Sequence, residues 1–224
     1  MVEQEITQRQ QWDRTYDSAK DFFGERPSEL GVSALPFLKE NGAKDVLELG
    51  CGQGRDTWYL ARNGMNVTAL DYSESGICQM QGMAREHQME GVVTAQAHDA
   101  REPLPFPDGT FDAVYSHMFF TMELSDEEVA MILGECLRVL RPGGLNIYSV
   151  RNDHDPHYGK FEQRGKDMWK NPLGFVVHYF TEETIKRLSA GYDLIWIKEF
   201  EDSSRQLTKK LYEVALRKPQ SRRC

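Results

Sequence analysis

The sequence predicts an α/β fold in a single domain spanning residues 1–224: a mostly parallel sheet with helices on both faces. Three observations carry that prediction. Strand-like runs alternate along the chain with segments of helical period, the pattern of a parallel sheet whose crossovers are helices. The stretch LELGCGQGRD (47–56) sets three glycines at alternate positions behind an apolar run, where a strand would turn sharply into a helix. The last two strand-like runs are joined only by EDSSRQ (201–206), too short for a crossover helix, so the final strand should run antiparallel.

Seven strand candidates follow in order: 45–50, 66–71, 92–98, 111–116, 144–150, 192–200 and 207–216. Helix candidates lie at 3–18, 28–40, 54–63, 75–89, 125–140 and 181–190. The fifth is the best marked, because Ser125 and Glu128 form a capping box and Val129, Ile132, Leu133, Leu137 and Leu140 form one apolar stripe before RPGG stops it. Residues 151–180 fit neither period and are rich in polar and aromatic side chains. They follow a strand's carboxyl end, the edge at which α/β sheets bind ligands, and so predict a substrate lid. The domain divides into N-terminal helices covering a ligand (1–40), a binding core (41–150), the lid (151–180) and a terminal helix with a hairpin (181–216).

Composition narrows the partners. With 27 Lys and Arg against 35 Asp and Glu, the net charge is −8, which offers no general field for a phosphate backbone and argues against nucleic acid. Cys51, Cys78, Cys136 and Cys224 stand far apart, with neither metal-ligand spacing nor a paired framework, and read as reduced thiols in a cytoplasm. The polar start MVEQEITQRQQWDR has no apolar core of a signal peptide, and no window is long and apolar enough for a membrane span, so no membrane partner is expected. The terminal RKPQSRRC reads as a short solvated basic tail.

The glycine loop gains meaning from its acidic neighbours. A strand ending in LELG, then a glycine turn, a helix and a second strand ending in Asp71 is the layout of a dinucleotide or nucleoside fold, with Asp71 placed to accept both hydroxyls of a ribose. A pyrophosphate needs G-x-G-x-x-G, whereas Gly50, Gly52 and Gly54 stand at G-x-G-x-G. Glu48 just before them disfavours phosphate and favours a cation such as an ammonium. Asp99 and Ala100, ending the third strand, can accept from an adenine amino group and donate to its ring. Amine, ribose and adenine would then belong to one ligand.

These words, VLELGCGQG, ALDYSESGI, HDA, FDAVYS and LRVLRPGG, occur in the order and spacing of the class I S-adenosylmethionine-dependent methyltransferases, which the chain resembles over roughly residues 40–150. The resemblance implies a Rossmann-like seven-stranded sheet ordered 3-2-1-4-5-7-6 with the last strand antiparallel. It implies S-adenosylmethionine as cofactor, leaving as S-adenosylhomocysteine, with Glu48, Gly50, Gly52, Asp71, Tyr72, Asp99, Ala100 and Ser116 around it and Cys51, Gly54 and Ser73 in the same turns. A narrower likeness, carried by GQGRDTWYLARNGMNVTALDYSESGI, is to the tellurite-resistance and thiopurine-type branch.

Methyl transfer from a sulfonium is an in-line displacement, so the protein need only aim and desolvate the nucleophile and remove a proton where one exists. Trp12 and Tyr16 share a helix face, either as a packing pair or, as in similar small-molecule enzymes, as a lid whose tyrosine faces the sulfonium. His117 after the fourth strand is the leading base candidate, beside its reading as a hydrogen-bonded structural histidine, with Phe119 or Phe120 as pocket wall. Arg151, His154, His157 and Tyr158 are substrate-contact candidates, Arg151 by offering its planar fork to an anion. A metal held by His154 and His157 matches no established spacing, and none is expected. His178 and Tyr179 either pack beneath the lid or face the same pocket. Cys51 and Cys224 have no base partner and read as non-catalytic.

The reading is a small-molecule methyltransferase, monomeric or homodimeric. Its rivals are a non-catalytic cofactor-binding module, a nicotinamide-dependent reductase, and an RNA or protein methyltransferase. The glycine spacing disfavours the reductase, and the acidic charge and absence of N/D-P-P-Y after the fourth strand disfavour the last.

Overall fold

A computed structural model describes residues 6–203 and 208–220; Cys224, the end of the basic tail and the tip of the final hairpin lie outside them. In chain order the elements are α1 (Gln8–Ser18), α2 (Glu29–Glu40), β1 (Asp45–Leu49), α3 (Arg55–Arg62), β2 (Asn66–Asp71), α4 (Glu74–Glu86), β3 (Val93–Ala97), β4 (Phe111–His117), α5 (Asp126–Val139), β5 (Leu140–Asn152), β6 (Glu162–Gly165), β7 (Met168–Lys170), β8 (Val176–Phe180), α6 (Glu182–Leu188), β9 (Asp193–Asp202) and β10 (Lys209–Arg217).

The main sheet runs β3-β2-β1-β4-β5-β10-β9, with β10 antiparallel to both neighbours and the other pairs parallel. Counting only the seven strands expected from sequence, this is the order 3-2-1-4-5-7-6. Three further strands come from 151–180, the stretch that showed no period. β5 overruns the main sheet and pairs β8 through Arg151 with Tyr179 and Asn152 with Phe180, and β8, β7 and β6 form an antiparallel meander. The lid is therefore sheet structure anchored on β5. Its strands are three to five residues long, too short for a clear alternation.

Helix starts follow local chemistry. Thr7 with Gln10 and Ser125 with Glu128 close capping boxes on α1 and α5, and Ser28, Ser73 and Thr181 cap α2, α4 and α6. Alternation along the central strands fills both faces of the sheet. Leu47 and Val114 point to a core with Ile132, Leu133 and Ile185, while Val46, Ala113 and Tyr115 point to one with Leu30, Leu38, Trp58 and Met80. A small third cluster, Trp169, Val177 and Tyr179 with Tyr158 and Phe161, holds the meander together. Among the described residues no helix is long and apolar enough to cross a membrane.

Candidate active site

A cavity of about 1000 Å³ opens at the carboxyl ends of β1, β2, β4 and β5, roofed by α1 and residues 170–177. Its floor is the glycine turn. Gly50, Gly52 and Gly54 have φ of +69°, +55° and +86°, the left-handed region that a side chain resists. A Cβ on Gly52 would stand 2.6 Å from the Tyr16 hydroxyl oxygen, and one on Gly50 would stand 2.8 Å from the Phe119 ring. The glycines thus admit α1 and the turn after β4 to the floor. Gly54 starts α3 as its N-cap and, like Ser73, lies off the cavity wall. Ser73 instead caps α4 and donates to Asp13 of α1 at 2.6 Å.

α1 spans both sides of the cavity. Asp13 and Asp17 receive the hydroxyls of Ser73 and Ser75 on α4, while Gln8 Oε1 accepts from the Val176 N–H at 3.0 Å and Gln11 donates to the Gly174 carbonyl at 3.2 Å. Trp12 stacks on Tyr16 at 5.4 Å and meets Phe175 at 4.8 Å, and all three rings line the wall.

On the floor side, Glu48, Cys51, Asp71, Tyr72, Asp99 and Ala100 line the cavity with Gly50 and Gly52. Asp71 accepts from the Gly52 and Ser73 N–H groups, both at 2.8 Å, and its burial pushes the carboxyl up to about 6. Glu48 accepts from the Thr57 hydroxyl; burial, with Asp56 nearby, raises it to about 8. Asp99 is held by a fork from Arg101, with a 2.6 Å contact that keeps its carboxyl below the usual range.

Two cations of this half escaped the sequence reading. Arg101 stands two residues after Asp99. Arg55, the first residue of α3 and directly behind the glycine turn, reaches the wall with its side chain 16% exposed. Its guanidinium lies 5.6 Å from the Phe23 ring and 3.8 Å from Asp56, whose carboxylate already accepts from the Ser28 N–H, the Ser28 hydroxyl and Tyr115. The residue's place at an N-terminal helix position, where an anion is favoured, was the available signal.

At the other end His117, Met118 and Phe119 continue β4 onto the wall. His117 Nδ1 sits 2.8 Å from Ser149 Oγ, and burial lowers the imidazole to about 4. It is neutral at pH 7 and too weak a base for the role sequence suggested, since removal from water disfavours its charged form. Met118 takes a left-handed φ of +57°, held by bonds from its N–H to the carbonyl and hydroxyl of Ser149. Arg151 reaches the wall, with Nε and Nη2 bound by Asp155 and Nη2 3.1 Å from His157. Phe22 and Phe23, from the segment after α1, and Asp202 and Lys209, 3.4 Å apart on the final hairpin, complete it. Only long-range topology brings those four here.

Several predicted site residues lie elsewhere. Ser116 is fully buried off the wall, because alternation turns it away from His117, and its hydroxyl has no partner. Phe120 packs in the core on Tyr148 at 5.1 Å. His154 pairs with Glu199 on the surface at 2.6 Å, and His157 stacks on Phe161. Tyr158 donates to Asp167 and packs with Trp169 and Tyr179 inside the meander. His178 is buried on β8 against Phe180, bonded at 2.8 Å to the Leu124 carbonyl. For His178 and Tyr179 the cause is strand pairing on β8, which buries side chains that a loop would have left beside the ligand.

Residues 46–144, from β1 into β5, match the family described as methyltransferase domain. This core is similar to the class I S-adenosylmethionine-dependent methyltransferases. A fatty-acid O-methyltransferase of Mycolicibacterium smegmatis is 40% identical to this chain over 123 residues, 51% of this chain and 39% of that protein. The chain spans less than half the length of the first curated relatives it matches, at 39%, 24% and 49%. Among solved structures, the CcbJ methyltransferase of Streptomyces caelestis superposes with a TM-score of 0.73 at 19% identity, covering 96% of this chain and 99% of that one. The 1,6-didemethyltoxoflavin-N1-methyltransferase of Burkholderia thailandensis, solved with its substrate and S-adenosylhomocysteine, superposes at 0.72 and 20% identity over 95% and 87%. At such identities the superpositions speak for the fold. The narrower tellurite-resistance and thiopurine branch is not singled out by these relatives.

Proposed function

We propose that the protein transfers the methyl group of S-adenosylmethionine to a small molecule. The observation that carries this is one cavity in which the donor set fits every part of that cofactor. Glu48 suits the ammonium, Arg55 the carboxylate, Asp71 the ribose hydroxyls, and Asp99 with the Ala100 N–H the adenine. When bound, the cofactor supplies an electrophilic methyl on a sulfonium. The chain's own work is to bind and aim: the glycine turn brings the backbone close, and Trp12, Tyr16 and Phe175 keep water from the roof. Adenine must share Asp99 with Arg101, so cofactor binding moves that guanidinium.

A small acceptor is supported by the cavity's volume of about 1000 Å³ and by relatives named for fatty-acid, phosphoethanolamine and 1,6-didemethyltoxoflavin methylation. Action in the cytoplasm, as monomer or homodimer, is consistent with Cys51, Cys78 and Cys136 standing free. One feature favours the reductase rival, since Tyr16 and Lys20 stand at the Tyr-x-x-x-Lys spacing of such enzymes and both line the cavity. The helix ends at Ser18, however, and Ala19 is extended (φ −149°, ψ 118°), so the two do not share a helix face.

Titration calorimetry with S-adenosylhomocysteine and with NADP tests the reading. Binding of the first and not the second is expected, and the reverse result sinks it. Release of S-adenosylhomocysteine in the presence of an acceptor separates an enzyme from a binding module.

A further inference from the structure

Resting on the methyltransferase reading, we propose that His117 orients the acceptor as a neutral hydrogen-bond donor: its Nε2–H meets a lone pair, on a carbonyl oxygen or a pyridine-type nitrogen, within a few bonds of the atom to be methylated. The protons at the end of β4 can be placed one by one. His117 stands directly opposite Ser149 in the β4–β5 register, so both side chains leave the sheet on one face. Ser149 is fully buried, and its hydroxyl oxygen accepts from the Met118 N–H at 3.1 Å. Among the described residues the hydroxyl's own proton has one acceptor, His117 Nδ1 at 2.8 Å.

A proton on Nδ1 would leave the Ser149 hydroxyl a buried donor with nothing to receive it, which folded proteins avoid. Nδ1 is therefore the acceptor, and in a neutral ring the proton sits on Nε2. The ring is neutral because burial lowers it to about 4. The charges that act on it come in opposite pairs, Arg55 with Asp56 on α3 and Lys209 with Asp202 on the final hairpin.

This tautomer limits what the ring can do. Its one lone pair is spent on Ser149, so no nitrogen is left to take a proton from an acceptor, and the role of general base is closed to it whatever its pKa. A donor remains. Nε2 has no partner among the described residues, yet it is not sealed in the core, and the ring lines the cavity.

The backbone is bent to the same end. Met118 holds φ at +57°, an uncommon conformation for a residue with a side chain, and its N–H returns to both the carbonyl and the hydroxyl of Ser149. That turn lets His117, Met118 and Phe119 all face the cavity, where an alternating strand would hide the middle one. Phe119 reaches the glycine turn, 2.8 Å from where a Cβ on Gly50 would stand, so one short turn joins the donor to the cofactor floor. An ammonium gives the Nε2–H nothing to bond, whereas a carbonyl or a ring nitrogen does. Trp12, Phe22 and Phe175 elsewhere on the wall suit a flat body carrying such an atom.

The test has a spectroscopic arm and a binding arm, both on the protein–S-adenosylhomocysteine complex. In nitrogen–proton correlation spectra of histidine-labelled protein at pH 7, with His117 identified by the signal lost in His117→Phe, a protonated Nε2 and a bare Nδ1 are expected. The probes are 2′-hydroxyacetophenone beside 2-ethylphenol, and 3-hydroxyquinoline beside 2-naphthol, each pair differing by one lone-pair atom. In at least one pair the lone-pair member should bind about tenfold more tightly and shift the His117 Nε2 signal. His117→Phe should remove that margin, and His117→Gln, whose side-chain N–H reaches the place of Nε2, should keep most of it, with the Kd of S-adenosylhomocysteine unchanged in both. A protonated Nδ1, an imidazolium, equal binding within both pairs, failure of both lone-pair compounds to bind, or a margin that survives His117→Phe overturns the proposal while cofactor binding keeps the methyltransferase reading intact. Failure of S-adenosylhomocysteine itself to bind counts instead against that underlying reading.

Discussion

The two halves of the cavity are built by different means. In the cofactor half, the glycine turn, Glu48, Arg55 and Asp71 all belong to one β1–α3–β2 unit, within 24 residues of each other. In the acceptor half, Phe22, His117, Arg151 and Lys209 come from four segments spread over most of the chain. The electrostatics differ in the same way. The cofactor half holds Glu48 and Asp71, whose carboxyls are pushed up by burial, whereas the acceptor half holds Arg151 and Lys209 in pairs with acids. The first is tuned to one ligand by local geometry. The second can be rebuilt by changing loops without touching the floor, which is how one fold serves unlike acceptors.

If that contrast is right, the largest single effect should come from Glu48. Its carboxyl keeps a proton to about pH 8 when folded and empty, against an ordinary 4.5 when unfolded. The folded state therefore binds more protons between those values, and stability falls as pH rises through that window. Glu48→Gln, which can still accept from Thr57, should remove the penalty. Thermal melts should show the variant more stable than the parent at pH 8, on the order of a few kcal/mol, with little difference at pH 5. The same variant should bind S-adenosylhomocysteine more weakly. A variant less stable at pH 8 would mean the carboxyl is not strained by its burial.

The acceptor half has its own keystone. Trp169 joins Tyr158 and Tyr179 in the small cluster that holds the meander and lies off the cavity wall. Trp169→Ala should cost about 3 kcal/mol, read as lost hydrogen-exchange protection confined to β6, β7 and β8, with cofactor affinity kept. Loss of protection that spreads into β1 and β2 would show one cooperative unit and remove the contrast. Asp71→Asn is its counterpart on the floor. It should weaken cofactor binding by about 2 kcal/mol in calorimetry and leave the meander protected.

The same divide explains what could be read from sequence. The order of the seven main strands and the starts of α2 to α6 were legible because caps, glycine turns and short connections act over a few residues, as at Ser125 with Glu128 or Gly50 to Gly54, whereas α1, expected from residue 3, starts at Gln8 behind its Thr7 cap. Residues 151–180 were not, because their strands are short and exist through pairing with β5, a contact that no local period encodes. Of the two readings open for His178 and Tyr179, packing beneath the lid is the one that their pairing on β8 produces. His117 was placed at the right strand end, yet its weakness as a base comes from desolvation by neighbours distant in sequence. Arg55 carries little local signal, because the first turn of a helix favours an anion and gives no reason of its own for a cation there.

The smallest effect should arise where the halves meet. α1 docks on α4 through Asp13 and Asp17 and on the roof of the acceptor half through two bonds, Val176 N–H to Gln8 Oε1 at 3.0 Å and Gln11 Nε2 to the Gly174 carbonyl at 3.2 Å. Gln8→Ala leaves that buried N–H unpaired and should cost about 1 kcal/mol. Because the bond closes the roof without touching the floor, the loss should appear as about a fivefold faster release of S-adenosylhomocysteine in stopped flow, with association little changed. Combined with Asp71→Asn, the two effects should add if roof and floor hold the cofactor independently. A shortfall from additivity of more than about 0.5 kcal/mol would place the coupling in α1, making that helix the element through which the lid senses whether the cofactor is bound.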